Sequence, residues 1–333
     1  MTPALAAPLF LVSIAVMLGA SAVFARRLDR IGLRLGLPEA LLGLLTALAA
    51  DAPEISSAVA ALIQNQHAVA VGVVVGASAF NIAAMLGLSA VVTAHVRARH
   101  ETLELEAFVG LWLLAVMIAF AAGGIGATAA VVLVAVVVIP YVALLAGGAR
   151  LARRLPLSVV RARFVHRSFG ERHRRARPLD SKREAAALVG ILLLALCLIV
   201  AGSIGAVRAA TDLADAWSVP DALVGVLVLG ILAALPNAWT GVRFGLQRRG
   251  SALMSETLNS NSINIVAGLA IPIALGSLGV FSHLDLFDLA WLFAMTAAAL
   301  VLFARRDGAG RGSGAFLIVL YAVFVAVQLA AHT

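Results

Sequence analysis

Cysteine and charge are both scarce in this chain. The single cysteine, Cys197, lies in a strongly apolar stretch, so neither a disulfide framework nor a cysteine metal cluster can be built. Only 13% of the 333 residues are charged and 62% are hydrophobic, against about 25% and about 45–50% in soluble domains. With a mean hydropathy of +1.03, an ordinary soluble domain is excluded. No alternating ten-residue pattern suggests a membrane barrel. A His-Glu-x-x-His pair and a Gly-x-Ser-x-Gly elbow are missing, and no histidine within a span stands beside a serine, which disfavours an intramembrane enzyme. The first ten residues carry no basic residue, whereas Arg26 and Arg27 follow the first apolar run. Ala20-Ser21-Ala22 resembles a cleavage site, but that charge order is the reverse of a signal peptide's, so the first span is expected to stay.

What remains reads as an all-α polytopic membrane protein in contact with the lipid bilayer. Apolar stretches near twenty residues suit a hydrocarbon core about 30 Å thick. Ten transmembrane helices are expected, near 4–24, 37–64, 67–95, 105–122, 125–148, 184–207, 219–247, 251–276, 286–304 and 314–331. The net charge of +8 is concentrated in alternate loops, including Arg26, Arg27, Arg30 and Arg34 after the first span and twelve Lys or Arg across 149–183. The opposite loops are short or acidic, with Asp212, Asp215, Asp221, Asp285 and Asp288. By the positive-inside bias the basic loops are cytoplasmic and both termini face out, as expected in a bacterial plasma (inner) membrane. Orientation explains the basicity, so no nucleic-acid partner is expected; protein partners are not indicated.

The chain also carries an internal duplication. Asp51-Ala52-Pro53-Glu54 leads to Asn81-Ile82, and Leu235-Pro236-Asn237 leads to Asn264-Ile265, at a constant offset of 183 that also pairs Ser57 with Thr240 and Leu86 with Leu269. With five spans on each side of the basic segment, the halves run in opposite directions. The expected organisation is a first five-helix repeat at 1–148, a basic cytoplasmic linker at 149–183 and a second five-helix repeat at 184–333: two inverted five-helix repeats (5+5). In proteins built this way substrate sites lie at the repeat interface near the midplane.

Ionisable residues inside spans mark candidate sites because their burial in lipid is costly. Asp51 and Glu54 are three apart and share a helical face, while Pro53 removes a backbone donor and frees carbonyls near residues 49 and 50. Two carboxylates with loose carbonyls suit a hard cation. Mutually bonded neutral carboxyls, or a broken span facing water, are the alternatives. Ser78 and Asn81 repeat the three-residue spacing on the next span, where Gly72 and Gly76 allow close helix approach. In the second half the run Ser255-Glu256-Thr257-Leu258-Asn259-Ser260-Asn261-Ser262-Ile263-Asn264 is too polar to face lipid and is expected to line a cavity. A surface-loop reading would leave 263–275 too short to span. Asn237 offers a neutral carbonyl where the first half has Glu54.

These segments resemble the alpha-repeats of the cation/Ca2+ exchanger superfamily, which includes the sodium/calcium exchangers. Family repeats carry Gly-Thr-Ser-x-Pro-Glu in one helix and Gly-Asn-x-x-Gly-Ser-Asn-x-x-Asn in the next. Pro53-Glu54 and Pro236-Asn237 fall on the first element, and Ser78-Ala79-Phe80-Asn81 and Ser260-Asn261-Ser262-Ile263-Asn264 on the second. The chain departs from the pattern at Ala50-Asp51, at Ala233-Ala234, at Asn237 in place of a carboxylate and at Glu256 in place of an asparagine. The resemblance implies a secondary antiporter, with no cofactor, that exchanges Ca2+ or another inorganic cation against Na+ or H+ by alternating access. The expected ligands are Asp51, Glu54, Ser78, Asn81, Asn237, Glu256, Ser260, Asn261 and Asn264. The partial loss of family ligands leaves open a proton-coupled Na+/H+ exchanger, or an ion-binding membrane protein without turnover.

Overall fold

Backbone in lipid must bond its own N–H and C=O groups, and the helix does so along its whole length. The computed structural model describes residues 1–34, 47–97, 100–152, 182–279, 281–304 and 308–331. Its principal helices are α1 (Pro3–Arg34), α2 (Ala52–Ile63), α3 (His67–Thr93), α4 (His100–Ala121), α5 (Ala127–Ala152), α6 (Lys182–Trp217), α7 (Asp221–Leu246), α8 (Gly250–Ile265), α9 (His283–Phe303) and α10 (Arg311–Ala331). A short antiparallel ribbon of β1 (His95–Val96) and β2 (Ala309–Gly310) pairs His95 with Gly310 and Val96 with Ala309.

Eight of these helices are long and apolar enough to cross a membrane; α2 and α8 are the exceptions. For α2 the shortfall is in length: it is preceded by a helical turn at 47–50, and residues 35–46 lie outside the described set. For α8 it is composition, because the polar run 255–264 dilutes a helix that continues through Val266–Ala270 and Ile271–Ala274. The surface-loop alternative for 255–264 is thereby excluded. Most of the basic linker, 153–181, also falls outside the described residues.

The duplication extends through the secondary structure. Displaced by 183 residues, α1 overlies α6, α2 the second part of α7, α3 overlies α8 and its continuation, α4 overlies α9 and α5 overlies α10. A π-helical stretch follows α3's first segment at Ile82–Leu88, and its counterpart at Val266–Ala270 follows α8. Left-handed residues close α2 and α7 at equivalent places, Asn65 and Arg248. The prolines behave differently in the two halves. Pro53 sits in the first turn of α2 behind a bend at Asp51, as suits a residue without an N–H, whereas helix α7 continues through Pro236.

Helix α3 forms the centre, almost wholly buried between α2, α7, α8, α9 and α10. Helices α1 and α6 lie side by side along the outside, exposing Leu11, Val12, Leu193 and Leu194. Two acids expected in loops are placed otherwise. Asp285 caps α9, its carboxylate accepting from Ser282 N over 2.7 Å while Ser282 Oγ accepts from Asp285 N over 3.1 Å. Asp288 is buried inside α9 and accepts from Gln328 of α10.

The approach of α3 to α7 depends on missing side chains. A Cβ at Gly76 would stand 2.4 Å from the carbonyl oxygen of Val226, and one at Gly225 would stand 2.4 Å from that of Val69. No flexible side chain can give way there, so the helices would have to part. Gly76→Leu is expected to cost about 1–3 kcal/mol, read as a lower unfolding midpoint of the purified protein in detergent. Gly190→Leu, at a position with open space, serves as the comparison and should leave the midpoint unchanged.

Candidate cation site

Four elements converge where the halves meet. The bend before α2 presents Asp51, the first turn of α2 presents Glu54, α3 presents Asn81, α7 presents Asn237, and α8 presents Ser260 and Asn264. All six side chains are buried. Asn237 Nδ2 is the hub, 2.8 Å from Asp51 Oδ1, 2.8 Å from Glu54 Oε1 and 3.3 Å from Ser260 Oγ. Ser260 Oγ donates to Asp51 Oδ1 over 2.6 Å. Asn81 Nδ2 reaches Ser260 Oγ at 3.1 Å and Glu54 Oε1 at 3.5 Å, and Asn264 Nδ2 donates to Glu54 Oε2.

The geometry has two consequences. Glu54 and Asn237, and likewise Ser78 and Asn261, occupy equivalent positions in the two halves, and they touch: Asn261 Nδ2 donates to the Ser78 carbonyl over 3.2 Å. Contact between equivalents is what an axis relating two halves produces. The second consequence concerns charge. Neither Asp51 nor Glu54 forms an ion pair with a described residue, so their charge is offset only by neutral donors. An isolated ionised carboxylate removed from water is too costly to leave uncompensated, and such a group takes up a proton or a cation.

Oxygen atoms are left over as well. Asp51 Oδ2, Ser78 Oγ and the amide oxygens of Asn81, Asn237, Asn261 and Asn264 are buried without hydrogen-bond partners among the described residues. Buried polar atoms in folded proteins are nearly always bonded, and six orphans in one cluster call for an explanation. Each amide turned through half a rotation offers oxygen in place of nitrogen. With the adjoining Ser78 and Asn261, the cluster holds two carboxylates and six neutral oxygen-bearing side chains, the donor type that hard cations take.

Of the nine expected ligands, six lie in the network and Ser78 and Asn261 adjoin it. Glu256 is apart: it is half-buried, makes no hydrogen bond among the described residues, and lies within electrostatic reach of Asp51 and of Glu106. Among the described residues no three His, Cys, Asp or Glu side chains gather closely enough to hold a metal ion by themselves. Glu106 itself was missed in the sequence. It is the second residue of the expected span 105–122, and only α8 and α5 packed against α4 reveal its partners.

Removing the hub should be felt in the fold. Asn237→Ala leaves Asp51 and Glu54 short of their shared donor, and a lost bond to a buried charged group is worth about 1.5–3 kcal/mol. The unfolding midpoint in ion-free detergent is expected to fall, and added cation should recover part of the loss through the remaining ligands.

The family follows from comparison with known proteins. The family model described as "Sodium/calcium exchanger protein" matches residues 5–146 and 187–330. Among solved structures, the sodium-calcium exchanger NCX_Mj soaked with Na+ and Sr2+ is similar at a TM-score of 0.63 and 19% identity, covering 97% of this chain and 98% of that one. The same exchanger soaked with Na+ and zero Ca2+ gives 0.64 and 19%, covering 98% and 99%. The H+/Ca2+ exchanger CAX gives 0.73 and 14%, covering 96% and 81%. No curated protein matches the sequence. The two matched segments coincide with the two halves that the offset of 183 superposes, and the chain belongs to the sodium/calcium exchanger protein family.

Proposed function

We propose that this chain is a secondary cation antiporter that exchanges Ca2+ or another cation against Na+ or H+ by alternating access at the Asp51–Glu54 cluster. The observation that carries this reading is the pair of buried carboxylates with no basic partner among the described residues, ringed by orphaned side-chain oxygens at the junction of the halves. Asp51 and Glu54 would be the charged ligands. Ser78, Asn81, Asn237, Ser260, Asn261 and Asn264 would be neutral donors, and Glu256 a nearby charge that tunes the site from outside.

The proposal includes ten spans in two inverted sets of five. Residues 37–64 would complete the second span, and α8, with its polar run facing inward, would be the eighth. Both termini would face out and the basic loops the cytoplasm. One half would then rock or slide against the other, opening the cluster to each side in turn.

Asn237 favours a second reading of the coupling. Where the first half has Glu54, the second has only an amide, so the centre holds two negative charges, enough for one divalent ion or for a monovalent ion beside a proton. The sodium- and proton-coupled relatives, NCX_Mj and CAX, resemble this chain in fold alike and do not separate the two. A non-transporting binder would hold the ion and show no counterflow.

Reconstitution into proteoliposomes decides among these. Uptake of 45Ca2+ or 22Na+ is expected under an opposing Na+ or pH gradient, with Glu54→Gln and Asp51→Asn each lowering it by at least about tenfold. Unchanged flux in both variants would overturn the site. Asn237→Asp adds a third carboxylate and is expected to raise the ratio of Ca2+ to Na+ affinity by about tenfold or more, since ligand charge tunes divalent binding.

A further inference from the structure

Glu106 stands on α4, one helix away from the central cluster, inside a polar set of its own. Ser255 Oγ donates to Glu106 Oε1 over 2.6 Å, and Asn259 Nδ2 lies 3.4 Å from the same oxygen and 3.3 Å from Ser255 Oγ. The Tyr141 hydroxyl of α5 donates to Asn259 Oδ1 over 2.5 Å. Glu106 Oε2 is buried and, among the described residues, has no hydrogen-bond partner, and Glu106 forms no ion pair with them.

The fold itself does not require this polarity. Displaced by 183 residues, Ser255 and Asn259 correspond to Gly72 and Gly76, Glu106 to Leu289 and Tyr141 to Phe324. At these equivalent positions Gly72 and Gly76 pack against the α7 backbone, and Leu289 and Phe324 are fully buried. The same scaffold is therefore packed without an acid on one side and carries an unpartnered carboxylate oxygen on the other. Packing explains the first set and not the second.

We propose that Glu106, Ser255, Asn259 and Tyr141 form a second site, for a monovalent cation, distinct from the Asp51–Glu54 cluster. One carboxylate balances one positive charge, and a divalent ion there would leave a net charge in a low-dielectric interior. Carboxylate, hydroxyl, amide and phenol oxygens are the hard donors such an ion takes. Rotating the Asn259 amide places Oδ1 beside Glu106 and Ser255, and the Tyr141 hydroxyl, donor or acceptor as needed, then accepts from Nδ2.

Equilibrium binding of 22Na+ to the purified full-length protein without Ca2+ tests this. Glu54→Gln is expected to retain Na+ binding, and Glu54→Gln with Glu106→Gln to lose it. Ser255→Ala, which removes one oxygen and leaves the helix, should weaken that binding by about tenfold. Glu106→Gln alone should leave 45Ca2+ affinity within about twofold, as for separate sites. Equal Na+ binding with and without Glu106, no Na+ binding to Glu54→Gln, or unchanged Na+ affinity in Ser255→Ala would each overturn the proposal. Wild-type protein that binds Na+ through Glu106 but shows no counterflow would uphold this site and sink the exchange reading instead.

Discussion

The arrangement of α2, α3, α7 and α8 depends on two carboxylates held out of water with no positive side chain among the described residues to meet them. Asp51 and Glu54 are buried where the halves meet, and a single amide, Asn237, stands within 2.8 Å of both. Such a centre draws on nearby donors, and Ser260, Asn81 and Asn264 are spent on it. The close helix packing serves the same end. Without Gly76 and Gly225, α3 and α7 would stand too far apart for Asn237 to reach across to the first half.

A duplicated scaffold need not give duplicated chemistry. The offset of 183 carries helix onto helix and one π-helical stretch onto another, yet Glu54 faces an amide, and Asp51 corresponds to Ala234. The second half recovers polarity on α8, in two directions. Ser260 and Asn264 point to the centre, while Ser255 and Asn259, one turn earlier and around the helix, meet Glu106. A helix with polar residues on two faces needs both faces covered by protein, as α2, α3 and α7 on one side and α4 and α5 on the other cover α8.

Much of this was legible in the chain. The constant offset and the paired Pro and Asn-Ile marks fix two equivalent units, and the shortness of the apolar stretch 263–275 on its own points to a helix through the polar run of α8. Family membership also follows from these residues, and the matched segments agree with it. The acids were harder to read. Asp288 follows Asp285 and looks like part of the same loop, yet one helical turn separates a capping carboxylate from one buried against Gln328. Glu106 is only the second residue of the expected span 105–122, so the sequence does not show which residues it meets. Local sequence shows that an acid is near a span end, whereas the helix packed against it decides whether it meets water.

The sequence by itself determined the class, the duplication and which helices carry polar atoms, because hydrophobic period, proline position and repeat offset are local or periodic properties of the chain. Only the tertiary structure decided which of those polar atoms meet. Asp51 and Asn237 are 186 residues apart and Glu106 and Ser255 are 149 apart. Contacts of that span are set by the angle and depth at which helices pack, and those are fixed by glycine and side-chain volumes all along the interfaces rather than by any motif.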